Sequence, residues 1–550
     1  MTISGHRRWA VGAALALALG FGAWGVNSTR AASTRTASKS SDSAGGTLTF
    51  TRLESSDAGF GPSIQNSAND AIPNALLFSN LVKVAPNEKT VLPDLATSWR
   101  VSPNAKVFTF HLRHGVTWSD GKPFTAADVV FTITLAAHMG APGYDGYQPT
   151  EWFDVLGASK LVGKTQPLAG VKALNAYTVQ ITLAQPNSNY VRRLTDAVYA
   201  ILPEHILHGA TAKTIYKVPF TTSTPVGTGP YTLEKYVANQ YIEFKARPDY
   251  FGGEAKIGKL FFELDVSEAS AVAQLATGQL QLVLELNPTD ESKVQQTPGL
   301  KVVSVESPGG EFLQFRVDNP QVSSPLVREA IYYAIDRRAM LKNLFLGNGV
   351  VDATFPGFNQ NDPNLNQYPY DPAKAKALLA AAHFDFSTPL QILYGPTIDP
   401  LWPQMAPVIQ QYLKNVGINA VLDPLDVAKW TAIVTGTKPT YALSLQSGGA
   451  NGLGPDESSS LFDCKALQLT YYANCAVTNL YTKAAATLNP TTRASYYAQI
   501  ARILNRDLPF ATLWQTNNVD AYSTKLGGTF KIFSNDIDSV FTVTGWTLSK

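Results

Sequence analysis

Leu92-Pro-Asp-Leu-Ala-Thr-Ser-Trp99, Phe108-Thr-Phe-His-Leu-Arg-His-Gly-Val-Thr-Trp-Ser-Asp-Gly121 and Pro123-Phe-Thr-Ala-Ala-Asp-Val-Val-Phe131 stand almost end to end in this chain. Each sets its own local structure. Val107 to Leu112 alternates apolar and polar residues with period two, the pattern of a half-buried strand. Trp118-Ser-Asp-Gly-Lys-Pro is a turn, punctuated by Gly121 and Pro123. Thr125 followed by Asp128 approximates a capping box and opens a helix through Val129, Val130, Ile133 and Leu135. A strand, a turn and a capped helix in succession make this a mixed α/β chain.

The same alternation continues on both sides of that stretch. Thr47-Leu-Thr-Phe, Thr178-Val-Gln-Ile-Thr-Leu and Tyr241-Ile-Glu-Phe-Lys read as strands. Ser324-Pro325 places an N-cap before a first-turn proline, and Val327, Ala330, Ile331, Ala334 and Ile335 recur at helical spacing toward a stop at Gly347. Asp371-Pro372 opens a further helix in the same manner. Pro403 to Val416 is a helix closed by Gly417, and another runs from about Pro490 to Asp507. No repeat of fixed period occurs. At 550 residues the chain exceeds one core and should form two or three domains.

His6, Arg7 and Arg8 precede an uncharged run from Trp9 to Val26 that is rich in Ala, Leu and Gly. This describes a secretory signal peptide over 1–32, cleaved or kept as an N-terminal anchor, with a disordered linker over 33–46. No Cys precedes Cys464, so there is no lipobox. The body is expected outside the cytoplasm, in the periplasm or on the outer cell surface. Lys+Arg 44 against Asp+Glu 42 is a net charge of +2, and without Arg7, Arg8 and Arg30 of the 1–32 segment it becomes 41 − 42 = −1, a near-neutral body that argues against nucleic acid as a partner. In an oxidising compartment Cys464 and Cys475 read as a local disulfide, with a metal pair or free thiols as the alternatives.

No catalytic set emerges. Gly163-Lys164-Thr165 lacks the phosphate loop's first glycine, because Ala158 stands there and Gly157 is one place off. His205 and His208 share a helix face without an H-E-x-x-H pattern or a third ligand. His111 and His114 belong to the strand and turn above, and no G-x-S-x-G elbow occurs. The chain is therefore expected to be no enzyme and to need no metal or cofactor. A secreted hydrolase with unrecognised carboxylates and a ligand-sensing surface receptor are the rival classes.

The opening stretches, together with Leu81-Val82, Pro225-Val-Gly-Thr-Gly-Pro-Tyr231, Arg247-Pro-Asp-Tyr-Phe-Gly-Gly253, Val327-Arg-Glu-Ala-Ile-Tyr-Tyr-Ala-Ile-Asp-Arg337, Asp371-Pro-Ala-Lys-Ala-Lys-Ala-Leu-Leu and Leu413-Lys-Asn-Val-Gly-Ile418, carry a resemblance. In that order they resemble the peptide/nickel-type extracellular solute-binding proteins of ABC transporters, the oligopeptide/dipeptide-binding family. The resemblance runs from about residue 47 to the end. It implies a two-lobed periplasmic-binding-protein fold of the class II type with an additional third domain, closing about a hinge. Lobe I would comprise 47–80, 216–306 and 509–550, the extra domain 81–215, and lobe II 307–508. Gly310-Glu-Phe-Leu-Gln-Phe-Arg316 and Leu508-Pro-Phe-Ala-Thr-Leu-Trp514 would be the crossing strands.

The resemblance also implies a monomer that hands a small ligand to ABC permease subunits in the membrane. In peptide-binding relatives a loop aspartate of the second lobe pairs with the peptide's amino terminus. The corresponding stretch here, Gln446-Ser-Gly-Gly-Ala-Asn-Gly-Leu-Gly-Pro455, puts Asn451 at that place and Gly448 at the loop tryptophan, with Gly449 beside it. An amide supplies no charge to an ammonium group, but it both donates and accepts. An oligosaccharide thus stands beside an oligopeptide as the expected ligand, and nickel would need a carried chelator. Gln446, Trp514, Trp402, Tyr394 and Tyr144 complete the candidate ligand-binding set. Trp152, in the same loop region as Tyr144, is read as packing.

Overall fold

The computed structural model describes residues 45–53, 59–62, 70–140, 150–211, 213–399, 401–449, 454–465 and 469–549. The expected signal segment, most of the linker, Tyr144 and Asn451 lie outside the described residues.

Strand β1 (Thr47–Arg52) opens the described chain. A small domain follows, built from β2 (Ala96–Val101), β3 (Val107–Leu112), α1 (Ala126–Met139), β4 (Val171–Asn175) and β5 (Thr178–Thr182). Its sheet is antiparallel throughout, in the order β2-β3-β5-β4. The alternation of β3 sends Phe108, Phe110 and Leu112 into this domain's core, under α1. The capping box forms as expected: the Thr125 hydroxyl accepts from the Ala127 amide, and the Thr125 amide donates to Asp128 Oδ2 at 2.8 Å. Asp128 Oδ1 accepts from the Glu204 amide at 3.0 Å, so one carboxylate serves two helix starts. Trp152 is buried here, edge-on to Tyr199.

Three of the quoted stretches meet at one joint between this domain and the large sheet. Arg247 is buried, and its guanidinium donates to the carbonyls of Gly227 (3.1 Å) and Thr117 (3.2 Å) and to Asp249 Oδ2 (2.9 Å). The Ser119 amide donates to the Gly227 carbonyl at 2.9 Å. Gly227 is required by close approach, because a Cβ there would lie 1.8 Å from the Leu77 carbonyl oxygen. These stretches are structural punctuation, and their residues hold one another.

The large sheet takes up β6 (Tyr231–Val237), β7 (Tyr241–Ala246), β8 (Lys259–Glu263), β9 (Leu282–Leu284) and the long β10 (Leu300–Phe315). Helices α2 (Pro325–Ala334) and α3 (Arg337–Leu344) come next, then β11 (Leu390–Tyr394), α4 (Trp402–Asn415), β12 (Ala420–Pro424) and β13 (Leu443–Gly449). Helices α5 (Cys475–Ala486) and α6 (Pro490–Asp507) precede the long β14 (Phe510–Ser523). The strand order is β12-β11-β13-β10-β14-β9-β1-β8-β7-β6.

Strands β10 and β14 run antiparallel through both halves of this sheet. Leu300 to Glu306 pair with Ser523 to Asn517 on one side, and Phe312 to Gln314 pair with Thr512 to Phe510 on the other. Between them the register shifts twice, around Gly310 and Glu311. A Cβ at Gly310 would lie 2.6 Å from the Trp514 carbonyl oxygen, so the strands can approach there only with glycine. Separate cores fill the two halves. Phe50, Phe244, Phe262 and Trp546 belong to one. The stacked Phe312 and Phe355, with Phe462 and Phe510 edge-on, belong to the other. This is a two-lobed α/β architecture with an added domain.

One expectation is corrected. The spacing from Pro325 toward Gly347 predicts a single helix, whereas the chain breaks into α2 and α3. Ile335 is extended, and Asp336 restarts the helix by accepting from the Ala339 amide at 2.9 Å. The break turns Arg337 inward, where it donates to the carbonyls of Asp352 (2.6 Å), Thr512 (3.0 Å) and Gln367 (2.6 Å). Hydrogen-bonding both terminal nitrogens of a buried guanidinium outweighs two more residues of helix. Arg328 donates likewise to the Asp507 carbonyl at 2.6 Å, so both arginines of that stretch anchor β14 and its approach. The Cys464–Cys475 disulfide is formed, at the start of α5.

Candidate functional site

Strands β11, β12 and β13 are parallel, so their carboxyl ends share one edge of lobe II. That edge faces the crossing point, because Gly449 at the end of β13 pairs with Gly309 of β10. In open α/β sheets ligands bind outside the carboxyl ends of the strands. The chain leaves β11 there through 395–401, and leaves β13 toward Pro455.

Three side chains form a row across this edge. Glu311 of β10 stands opposite Ser447 of β13 and opposite Trp514 of β14, and directly paired residues share a sheet face. Glu311 is 3% exposed. Trp402, the first residue of α4, donates its indole N–H to Glu311 Oε2 at 3.0 Å. Asp399 lies within hydrogen-bond reach of both Glu311 and Ser447, and its Oδ1 accepts from the Leu401 amide at 2.9 Å. Asp399 and Ser447 are only partly covered, so the row opens toward solvent at their side.

Burial drives the Glu311 carboxyl well above the ordinary carboxylate range, and the adjacent Asp399 charge adds to it. Asp399 is raised as well, again chiefly by burial. No cation acts on either group among the described residues. Two carboxyls in contact cannot both ionise at ordinary cost, so the pair holds a proton or meets a positive charge. The Trp514 indole is fully buried, packs edge-on to Phe345 at 5.0 Å, and its N–H has no hydrogen-bond partner among the described residues. Asp352, also near the crossing point, is pushed up to about 7 by burial and by the Glu306 charge.

The expected site residues distribute unevenly. Trp402 and Trp514 both border the carboxyl pair. Tyr394, at the end of β11, is nearly buried. Gln446 lies on the opposite face from Glu311, paired with Phe312, and its Oε1 has no partner among the described residues. Gly448 has φ 123° and open space at its Cβ position. Gly449 pairs with Gly309, while Tyr144 and Asn451 fall outside the described residues. Sequence reasoning missed Glu311 and Asp399, which are 88 residues apart and meet through the antiparallel pairing of β10 with β13 and the parallel pairing of β13 with β11.

A second polar cluster bridges the added domain and lobe II. Asn189 donates to both oxygens of Asp456 at 3.0 Å, and Arg193 approaches the same carboxylate at 3.7 Å. The Ser188 amide donates to the Ala485 carbonyl at the end of α5, and Arg493 of α6 donates to the Ser188 hydroxyl. His205 pairs with Asp120 at 2.8 Å in the added domain's turn. Among the described residues no group of three His, Cys, Asp or Glu could hold a metal, and no helix is long and apolar enough to cross a membrane.

Two lobes sharing a pair of strands, with a polar edge at their crossing, define a solute-binding architecture. The sequence pattern of bacterial extracellular solute-binding proteins, family 5 Middle, matches residues 90–466. The chain belongs to that family, and is accordingly an extracytoplasmic binding protein of the ABC-transporter type and not an enzyme. A Brucella ovis protein assigned to ABC-transporter peptide binding is 30% identical over 469 residues, covering 82% of this chain and 83% of its own length. The dipeptide-binding protein of Escherichia coli is 28% identical over 432 residues, covering 75% and 78%. The solved structure of HbpA2 from Haemophilus parasuis superposes with a TM-score of 0.78 at 23% identity, covering 92% of this chain and 100% of that one.

Proposed function

We propose that this chain captures short peptides outside the cytoplasm and delivers them to the permease subunits of an ABC importer. The observation that carries the reading is likeness over four-fifths of the chain to a relative assigned to peptide binding, with a dipeptide-binding protein also among its relatives. The ligand would lie between lobe I (47–80, 216–306, 509–550) and lobe II (307–508), beside the added domain (81–215). It would be enclosed by rotation about the crossing of β10 and β14. The Asn189–Asp456 and Ser188–Ala485 contacts support such an enclosed state, because they tie the added domain to lobe II. The permease would read the closed form, whose population the ligand raises. Export by the 1–32 segment and action as a monomer belong to the same reading.

A thermal-shift screen of di- to pentapeptides, neutral oligosaccharides and nickel with small chelators tests it. A ligand at a hundred times its dissociation constant stabilises by about 2.7 kcal/mol. Hits confined to peptides are expected. Hits confined to sugars would overturn the peptide reading and return weight to Asn451.

A further inference from the structure

The carboxyl pair at the edge of lobe II is a poor structural element. Among the described residues Glu311 is buried with one indole donor, a second acid and no cation, although a buried charge is tolerated when it is paired and hydrogen-bonded. An apolar side chain or a glutamine at this place on β10 would pack at lower cost. Trp514, fully buried and paired opposite Glu311 on the same face, has an indole N–H that also lacks an acceptor among the described residues. Among the described residues, then, an acceptor pair short of a cation stands on a strand position paired with that of a buried donor short of an acceptor. An α-amino acyl group carries both complements, an ammonium and, two bonds away, a carbonyl oxygen.

We propose that Glu311 and Asp399 form the subsite for the primary ammonium group of the ligand, with Trp514, paired opposite Glu311, supplying the donor to the carbonyl beside it. This rests on the peptide reading and deepens it. It supplies the carboxylate that Asn451, an amide, does not offer. Asp399 and Ser447, partly exposed, form the rim through which the ammonium enters, and Glu311 forms the floor. An arriving ammonium takes the place of the proton that the pair otherwise shares. Its three N–H donors match the two carboxylates and the Ser447 hydroxyl.

Isothermal titration of the purified protein decides this. The probes are alanyl-alanine, alanyl-phenylalanine and trialanine, each with its N-acetylated counterpart, and maltotriose as the neutral sugar. The variants are Glu311→Gln and Asp399→Asn. Expected is binding of the free peptides and about 30-fold or greater loss on N-acetylation. Each variant should lose affinity by a similar factor while its ligand-free melting point does not fall. N-acetylation tests the subsite on the unaltered protein, so the result stands even if a variant fails to fold. If peptides bind and acetylation, or both folded variants, leave affinity within about threefold, the ammonium subsite is overturned and the peptide reading survives. If maltotriose binds and no peptide does, both are overturned.

Discussion

Arg247 and Glu311 are both buried ionisable groups, and the protein treats them in opposite ways. Arg247, 4% exposed, spends its guanidinium on two main-chain carbonyls and on Asp249, in a joint where Gly227 allows backbones to touch. Glu311, 3% exposed, has one indole donor and faces another acid. The first arrangement is complete within the chain, as a structural joint must be, because an unpaired buried charge costs several kcal/mol. The second is complete only with something added. Burial alone does not separate a structural charge from a binding one; the balance of partners does.

The comparison can be broken by mutation. Arg247→Met should lower stability by about 3–5 kcal/mol in urea denaturation, because it strands carbonyls from two segments. A loss under about 1 kcal/mol would show that the joint is held by packing alone. Asp352 sharpens the contrast as a second under-compensated acid. Its carboxyl is raised to about 7, above its unfolded value, so its stabilising effect is present at acid pH and is lost as pH climbs to about 7. Asp352→Asn should remove about 3 kcal/mol of the fall in unfolding free energy between pH 4 and pH 7. Identical pH profiles for the two proteins would refute it.

Smaller effects test the remaining contrasts. Asp456→Ala removes the acceptor of Asn189 and the partner of Arg193 between domains. Ligand affinity should fall by about 1–2 kcal/mol with little change in urea stability. Small-angle scattering of the liganded variant should show a more open particle; an unchanged profile and affinity would make the contact incidental. Smallest of all, Glu311→Gln should leave ligand-free stability at pH 8 unchanged or raised by about 1 kcal/mol. A drop of the size expected for Arg247→Met would erase the distinction between the two charges.

The sequence was most legible where structure is local. The capping box at Thr125 and Asp128, the alternating strands and the helix over Pro490–Asp507 all follow from spacing and punctuation. The quoted stretches pointed to the family, but their spacing did not reveal that Trp118-Ser-Asp-Gly, Gly227 and Arg247 meet in one joint. Helical periodicity carried across Ile335, where the needs of Arg337 interrupt it, because a tertiary hydrogen-bond network leaves no periodic trace. The site was least legible. Glu311 reads as one polar position in an alternating strand, and Asp399 as a turn residue before a helix. Only the parallel pairing of β11 with β13 and the antiparallel pairing of β13 with β10 bring them together. Trp402 and Trp514 read in the sequence as aromatic rings, whereas it is the Trp402 indole N–H that binds Glu311, and the Trp514 N–H has no partner among the described residues.

The order in which the strands join has a consequence for how this protein comes into being. The first described strand, Thr47–Arg52, pairs with Lys259–Glu263 and Leu282–Leu284, and the latter pairs in turn with Ala521 and Tyr522. Lobe I thus has no local nucleus at its start, and its sheet cannot be completed until nearly the whole polypeptide is available. Contacts of such long sequence separation slow folding, because loop closure comes before its reward. Cutting the chain before Phe510 therefore removes the strand that ties the first described strand's neighbour to the other half of the sheet, and should leave lobe I open at that seam.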